Sequence, residues 1–185
     1  MSVELKEIGL TDIEKILKFS DKWIGTNYFT AKELEEIIKL GKTAQVNTSF
    51  KAESIDGKLA GIRLSLAPGE WVNSMRGLST DLWNVDSSKV GYFKSLFISD
   101  EFQKQGIGKA LSNLSIENLK KAGAKAIICH SWLESPSNSS QRYLLSMGFS
   151  AVKTHKEFWS EVDYHCIKCG PSKCLCTAVE MIKYI

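Results

Sequence analysis

A pair of glycines between an apolar segment and a helical one is the part of this sequence best suited to bind an anion. The run from Ser99 to Leu111 contains the spacing Gln-x-x-Gly-x-Gly, with its glycines at Gly106 and Gly108. Glycine lets the backbone approach a ligand closely, and the free amides at a helix N-terminus point toward negative charge. The run lacks the third glycine of a dinucleotide fingerprint and the Gly-Lys-Ser/Thr of a Walker loop. It therefore predicts a diphosphate cradle, with an ordinary strand-to-helix turn as the alternative.

Four of the five cysteines lie close together and suggest a second kind of chemistry. Cys166 and Cys169 form a Cys-x-x-Cys-Gly pattern, which is typical of a zinc knuckle. Cys174 and Cys176 are two residues apart, so both side chains would face the same side of a strand that begins there. Four thiolates could then surround one tetrahedral ion. Zinc is the favoured interpretation, and reduced structural thiols or a redox or disulfide pair are the alternatives.

Hydrophobic periodicity supplies the elements that must position the glycine pair. A strand is expected over Tyr92 to Ile98, and a helix with one apolar stripe follows Gly108. Residues 125–132 contain a continuous apolar run, which predicts a strand buried on both faces. Strand, helix and strand at this spacing form a βαβ unit. The two strands are therefore expected to be parallel neighbours.

The rest of the chain is predicted to alternate helices and strands around this unit. Capping-box patterns at Thr11–Glu14 and Thr30–Glu33 indicate two helices after the first strand, and a short helix is expected over residues 139–147. Asp56-Gly57 indicates a hairpin turn. The remaining strands are predicted at residues 3–8, 50–55, 59–66, 151–159 and 177–185. The order is β-α-α-β-β-β-α-β-α-β-β, an α+β sheet with one embedded parallel pair.

Length and composition favour a single globular domain over residues 1–185, with a long loop at 67–89 and a cysteine-rich loop at 165–176. The chain is 43% hydrophobic and 24% charged, which is ordinary for a globular protein. A net charge of +3 without a long basic run argues against a nucleic-acid partner. We find no apolar core of a signal peptide and no membrane-spanning segment, so we expect a cytoplasmic protein with reduced cysteines.

The loop at residues 67–89 is too long for a tight connection and contains Trp71 and Trp83. Loops of this length inside a domain are often lids or binding loops. The alternative is a surface excursion whose tryptophans pack onto the core.

The element order, with a glycine loop after the fourth strand, resembles the GNAT superfamily of N-acetyltransferases over almost the whole chain. The run Ser146-Met-Gly148-Phe149 after a short helix is similar to the end of that family's second cofactor motif. The resemblance implies a GNAT-like mixed sheet, mostly antiparallel with a central parallel pair and flanked by helices. It also implies transfer of an acetyl group from acetyl-CoA to an amine.

The resemblance assigns the cofactor contacts residue by residue. In the family, the pantetheine arm pairs like an extra strand with the fourth strand, here Leu96, Phe97 and Ile98. Asn138 lies one place from the position, here Ser137, of an asparagine that the family often carries. The predicted contacts in the loop are Gln103, Lys104, Gln105, Gly106, Ile107, Gly108, Lys109 and Ala110.

The family's catalytic residues match this chain less well. Its general-acid tyrosine falls on Leu144, so the actual Tyr143 is rotated by about 100° around the helix. Its glutamate base, where present, falls on Tyr92. An acceptor amine of pKa about 10 must lose a proton before it attacks. Glu134 just past the fifth strand and His130 within it are candidates to receive that proton through water; a surface carboxylate and a buried strand histidine are the alternative interpretations.

Two functions follow from these features. The first is an acetyl-CoA-dependent N-acetyltransferase, with Glu134 and Tyr143 as candidate catalytic residues. The second is a non-catalytic acyl-CoA sensor or zinc-stabilised interaction module on the same fold, which the missing family tyrosine and glutamate favour. A thiol–disulfide protein fits poorly because the Cys-x-x-Cys motif does not begin a helix. The sequence leaves open a small amine, an antibiotic, a polyamine or a protein amine as the acceptor, and it leaves open a homodimer.

Overall fold

A seven-stranded mixed sheet organises the chain. The computed structural model describes residues 2–185. The strands, in chain order, are β1 (Val3–Glu7), β2 (Phe50–Ser54), β3 (Leu59–Leu66), β4 (Val90–Ile98), β5 (Ala126–Trp132), β6 (Ser150–His155) and β7 (Ala178–Tyr184). They lie in the order β1-β2-β3-β4-β5-β7-β6, and β4–β5 is parallel whereas the other neighbours are antiparallel. The predicted α+β sheet with a parallel pair is confirmed.

In the described part of the chain, four α-helices cover the two faces of the sheet. They are α1 (Ile13–Trp23), α2 (Ala31–Leu40), α3 (Ile107–Lys121) and α4 (Ser139–Ser146). Apolar residues of α1 and α2 pack with Tyr92 and Ile128 in one core cluster. Residues of α3 and α4 pack with Phe93 and Ile127 in another. We call these the α1–α2 face and the α3–α4 face. Within residues 2–185, no helix combines the length and apolarity needed to span a bilayer.

The tryptophans of the loop at residues 67–89 belong to the core, as the packing alternative predicted. Trp71 and Trp83 are 2% and 0% exposed. The Trp83 indole N–H donates to Glu180 Oε1 at 2.7 Å, and the backbone N–H of Ser79 donates to the same oxygen at 3.0 Å. Glu180 on β7 is itself fully buried. This carboxylate therefore anchors the loop to the α1–α2 face.

Three local predictions were wrong or imprecise at element ends. Thr11 does not cap α1, because a short 3₁₀ turn precedes that helix and Asp12 Oδ2 accepts from the backbone N–H of Gly9 at 2.9 Å. The second capping box is confirmed, since Thr30 Oγ1 accepts from the backbone N–H of Glu33 at 3.2 Å. Strand β6 ends at His155 and not at residue 159, and turns follow it. Strand β7 begins at Ala178, so both cysteines of the second pair precede it.

The parallel strands β4 and β5 separate along their length. Their register runs from Val90↔Ala126 to Phe93↔Cys129, although both strands continue beyond that point. On the other side of β4, the pairing with β3 shifts so that Lys94 is an extra, bulged residue. A bulge bends its strand, which accounts for the divergence. The edge of residues 95–98 that faces β5 is left without a strand partner, and such an edge can accept an extended ligand.

Candidate active site

The glycine loop presents free backbone amides at the start of α3. Lys104 and Gly106 adopt left-handed φ angles of 60° and 79°, and Gly106 is the N-cap of α3 without a side-chain cap. Alternating left-handed residues turn successive N–H groups toward one concavity, which binds anions. A Cβ atom on Gly106 would meet no atom within 4 Å. The loop therefore has both the donors and the open space that a diphosphate needs.

The loop lies directly against the diverging end of β4. A Cβ atom on Gly108 would stand 3.5 Å from Leu96 Cδ2 and 3.6 Å from Ile98 Cγ1. The Gln103 side-chain amide donates to the backbone carbonyl of Ile98 at 3.2 Å and fixes the start of the loop on the strand. The structure thus brings the predicted strand contacts and the predicted loop contacts into one continuous surface.

Asn138 supplies a buried acceptor without a partner. It precedes α4 with a left-handed φ of 51°, next to Ser137 at 54°. Its Nδ2 donates to Gln141 Oε1 at 2.9 Å, whereas its Oδ1 is buried and makes no hydrogen bond to any of the described residues. Buried acceptors are normally paired, so this oxygen fits an N–H donor brought by a ligand, such as the amides of a pantetheine arm.

Tyr143 contacts α3. Its hydroxyl donates to the backbone carbonyl of Gly108 at 3.0 Å and lies 2.8 Å from Ser112 Oγ. That serine also accepts from the buried guanidinium of Arg63. Leu144, the position matched to the family tyrosine, is buried in the apolar cluster of the α3–α4 face. The Tyr143 hydroxyl thus ties α4 to the first turn of the helix that carries the loop.

A tyrosine–histidine pair lies on the α1–α2 face where β4 and β5 begin to separate. The Tyr92 hydroxyl donates to His130 Nδ1, and His130 Nε2–H donates to the carbonyl of Gly77, each at 2.8 Å. Burial lowers the pKa of His130 to about 4 and raises the pKa of Tyr92 well above its usual value. His130 is therefore neutral at pH 7, with its Nδ1 lone pair directed at a hydroxyl.

The pair was not predicted as a unit, because single-sequence analysis gives no register between two strands. The prediction that β4 and β5 are parallel neighbours could have suggested the pair, because Tyr92 and His130 lie near corresponding positions of these two strands.

Glu134, the other candidate base, accepts with both carboxylate oxygens from the backbone N–H of Thr177, at 2.9 and 3.1 Å. Its carboxylate therefore holds the chain entering β7.

Acidification should reveal the neutral state of His130. The unfolded chain takes up a proton on this histidine near pH 6.5, whereas the folded chain does so only near pH 4. The free energy of unfolding should therefore fall as the pH drops from about 6.5 to about 4, by about 3 kcal/mol from this group. Urea unfolding of the wild type and of His130→Gln across this range measures the effect.

The difference between those two proteins isolates His130 from the other titratable groups that face it, namely Glu180, His155 and Lys94. A wild-type-minus-variant difference that does not change with pH would contradict the assignment.

The four clustered cysteines are brought together as predicted. Their sulfur atoms all lie within 4.8 Å of one another, and Cys176 Sγ stands 3.9 Å from Cys166 Sγ and 3.6 Å from Cys169 Sγ. Zn–S bonds of about 2.3 Å in a tetrahedron place sulfurs about 3.8 Å apart. All five cysteines are free. The donor set and its spacing therefore fit one zinc ion.

The surroundings of Cys166 favour a thiolate, whereas burial raises the pKa of Cys174 and of Cys176 above the usual value, so that these two thiols would lose their protons on binding the metal. Burial alone raises the pKa of the Cys166 thiol, but the backbone N–H groups of Cys169 and Lys168 and the Tyr164 hydroxyl lower it to about 7. The Trp132 indole packs on the cluster, and its buried N–H makes no conventional hydrogen bond. That N–H favours the thiolate of Cys176. N–H donors around ligating sulfurs are a usual feature of metal sites.

The seven-stranded sheet with a diverging parallel pair, and the glycine loop that leads from it into α3, define the GNAT fold. A model of the acetyltransferase (GNAT) family matches residues 25–149. The match spans more than half of the chain, and the chain therefore belongs to this family.

Solved structures share the fold at low sequence identity. Arabidopsis thaliana NAA60 in complex with acetyl-CoA superposes with a TM-score of 0.71 at 17% identity, covering 100% of this chain and 99% of that chain. Chaetomium thermophilum Naa20 in complex with a bisubstrate analogue gives 0.71 at 16%, covering 98% and 86%. Ard1 from Thermoplasma volcanium gives 0.70 at 11%, covering 100% and 99%. No curated protein matches the chain significantly.

Proposed function

We propose that this protein is an N-acetyltransferase that moves the acetyl group of acetyl-CoA to an amine. The observation that carries the proposal is the free-amide loop of residues 103–110 at the point where β4 leaves β5. In this arrangement the diphosphate binds the loop, and the pantetheine arm pairs with the edge of Leu96, Phe97 and Ile98. The unpartnered Oδ1 of Asn138 accepts from an amide of that arm.

The acyl donor and the amine would approach the reaction site from opposite faces of the sheet. The acyl donor enters from the α3–α4 face, where the loop lies, and its thioester reaches the gap between the strands. The amine approaches from the α1–α2 face. Its nitrogen attacks the carbonyl carbon, the C–S bond breaks, and coenzyme A leaves as a thiolate that takes up a proton.

We assign acceptance of the amine proton to His130 acting with Tyr92. The histidine is neutral at pH 7, and the pair faces the side from which the amine comes. Glu134 is the weaker candidate because it accepts from the backbone N–H of Thr177 beyond the end of β5, whereas Tyr92 and His130 lie where β4 and β5 begin to separate. Tyr143 donates to Gly108, so we expect it to position α3 and to contribute less as an acid than the family's tyrosine does.

Release of coenzyme A in the presence of amines tests the function. The probes are an alkyl amine, a polyamine and a short peptide with a free N-terminus. The peptide is included because the NatC complex, which shares the fold, was crystallised bound to a Gag peptide and CoA. The proposal requires thiol release that depends on an amine. Tight acetyl-CoA binding without amine-dependent release would favour the alternative, a non-catalytic acyl-CoA sensor or interaction module.

We further propose that Cys166, Cys169, Cys174 and Cys176 hold one structural zinc ion. The support is the four-sulfur spacing and the N–H donors around it. When bound, zinc would close the segment between β6 and β7 without taking part in the transfer. Four zinc-bound thiolates and a free Cys129 suit a reducing compartment, and we propose the cytoplasm.

Protein purified without chelator should contain one zinc per chain by elemental analysis. Cys174→Ser should reduce this to a small fraction, because three thiolates hold zinc less tightly than four. Cys129→Ser is the matched control, since that cysteine is buried on β5 outside the cluster, and it should keep full metal content. Substoichiometric metal together with four titratable thiols in the native cluster would exclude the site.

A further inference from the structure

We infer that the zinc site acts as a clamp, meaning that bound zinc holds in place the segments that form the amine-binding side of this enzyme. Metal occupancy then sets the affinity for the amine and leaves acetyl-CoA binding unchanged. This inference rests on the proposed function and on the proposed zinc. It concerns residues 156–177, between β6 and β7, which we call the cysteine segment.

One path of contacts runs from Cys174 to the connection between α1 and α2. The Tyr164 hydroxyl lies 3.6 Å from Cys174 Sγ, and the Tyr164 ring packs edge-on against Tyr28 with centroids 5.3 Å apart. The backbone N–H of His165 also donates to the carbonyl of Thr26 at 3.3 Å. Tyr28 in turn interacts with Ser95, on the unpartnered edge of β4. The α1–α2 connection is therefore held against the site through a residue that touches a metal ligand.

A second path runs from Cys176 to the tyrosine–histidine pair. The backbone N–H of Phe158 donates to the carbonyl of Cys176 at 3.0 Å. The Phe158 ring stacks on the His130 imidazole, with centroids 4.3 Å apart and planes at 23°. The position of the proposed proton acceptor thus depends on a residue whose backbone is bonded to a metal ligand.

The cysteine segment also fixes the loop at residues 67–89. The Arg76 guanidinium donates to Glu161 Oε2 at 2.6 Å and to the carbonyl of Phe158. Gly77 packs so closely against the Phe158 ring that a side chain there would collide, and its carbonyl accepts from His130. Three segments distant in sequence therefore meet at the α1–α2 face through the cysteine segment.

Apart from Ser95, which Tyr28 contacts, the acetyl-CoA surface lies outside these contacts. The glycine loop is held by Gln103, Gln105 and Tyr143.

Loss of the metal should loosen the cysteine segment, and with it residues 24–30 and 74–79 that contact it, whereas Trp71, Trp83 and Glu180 still hold the rest of the 67–89 loop on the core. The amine side should loosen while the donor side keeps its structure.

Amide hydrogen exchange of the full protein, with zinc and after chelation under reducing conditions, tests the clamp directly. Zinc should slow exchange at least about tenfold in residues 24–30 and 74–79 as well as in the cysteine segment. Exchange in residues 103–110 and the Kd for coenzyme A should not change. Protection confined to residues 166–176 would overturn the inference, and so would failure to bind zinc.

Gly25→Ala tests the same contact with the metal in place. A Cβ atom on Gly25 would stand 2.5 Å from the carbonyl oxygen of His165, so the connection and the cysteine segment must move apart. Gly69→Ala is the control, because that glycine has a φ of 155°, close to the 152° of Gly25, but no atom lies within 4 Å of its Cβ position. With the best of the three probe amines, Gly25→Ala should raise KM about tenfold at unchanged zinc content and unchanged coenzyme A affinity.

Equal KM values in the two glycine variants would contradict the clamp. If none of the probe amines is acetylated, the proposed function fails, and the exchange measurements still decide whether the metal organises this face.

Discussion

Replacing Gly106 by aspartate should weaken acetyl-CoA binding about 100-fold, which corresponds to about 2.7 kcal/mol, whereas asparagine should weaken it only a few-fold. Gly106 has a φ of 79° and open space above its Cα. Asparagine and aspartate both tolerate this conformation better than other side chains, and they differ mainly in charge. A carboxylate here would sit among the amides that we assign to the diphosphate and would repel it. Isothermal titration with acetyl-CoA measures both affinities.

The same substitutions at Gly123 control for backbone effects. Gly123 follows the other end of α3, has a φ of 91°, and also has no atom within 4 Å of its Cβ position. Gly123→Asp and Gly123→Asn should leave the Kd unchanged. An equal loss for Gly106→Asp and Gly106→Asn would show that strain, and not charge, weakens binding. No loss in either would mean that the loop is not the anion site.

Glu180→Ala should lower the free energy of unfolding by about 3–5 kcal/mol, a scale typical of removing one partner from a buried charged network. Burial alone raises the pKa of the Glu180 carboxyl, but donors from Ser79, Trp83 and His155 bring it below its usual value, so the group is ionised. Alanine leaves these donors buried without an acceptor and detaches the loop at residues 67–89 from β7.

Urea unfolding monitored by tryptophan fluorescence measures this change, since Trp83 is a direct partner of Glu180. Glu117→Ala on the exposed side of α3 is the control and should change stability by less than about 0.5 kcal/mol. A loss below about 1 kcal/mol for Glu180→Ala would show that the network does not anchor the loop.

The parts of this molecule that sequence predicted are those encoded locally. The helix that begins at the glycine pair, the Thr30 capping box and the strand–helix–strand order each follow from local sequence patterns, and the structure confirms them. The resemblance to the family then implied a mostly antiparallel sheet around the parallel pair, and the structure confirms it. The cysteine cluster was also predicted, although its second pair precedes β7 and does not lie within it.

The parts that sequence missed depend on long-range register. The bond between Tyr92 and His130 requires the offset between two strands, which no local pattern encodes. The burial of Glu180 under Trp83 joins residues almost a hundred positions apart. A capping pattern at Thr11 was misleading because Asp12 competes for the same helix start. Side-chain contacts between different secondary-structure elements could therefore be identified only from the structure.

Transfer of labelled acetyl groups tests the central claim most directly. Acetyl-CoA labelled in its acetyl group is incubated with the wild-type protein and the three probe amines, and both the labelled amide and the free coenzyme A are quantified. We predict one labelled amide for each coenzyme A released, no release without an amine, and a large loss of both in Gly106→Asp at acetyl-CoA concentrations below the variant's Kd. Release of coenzyme A with the label recovered as free acetate, or the same yield from Gly106→Asp under those conditions, would contradict it.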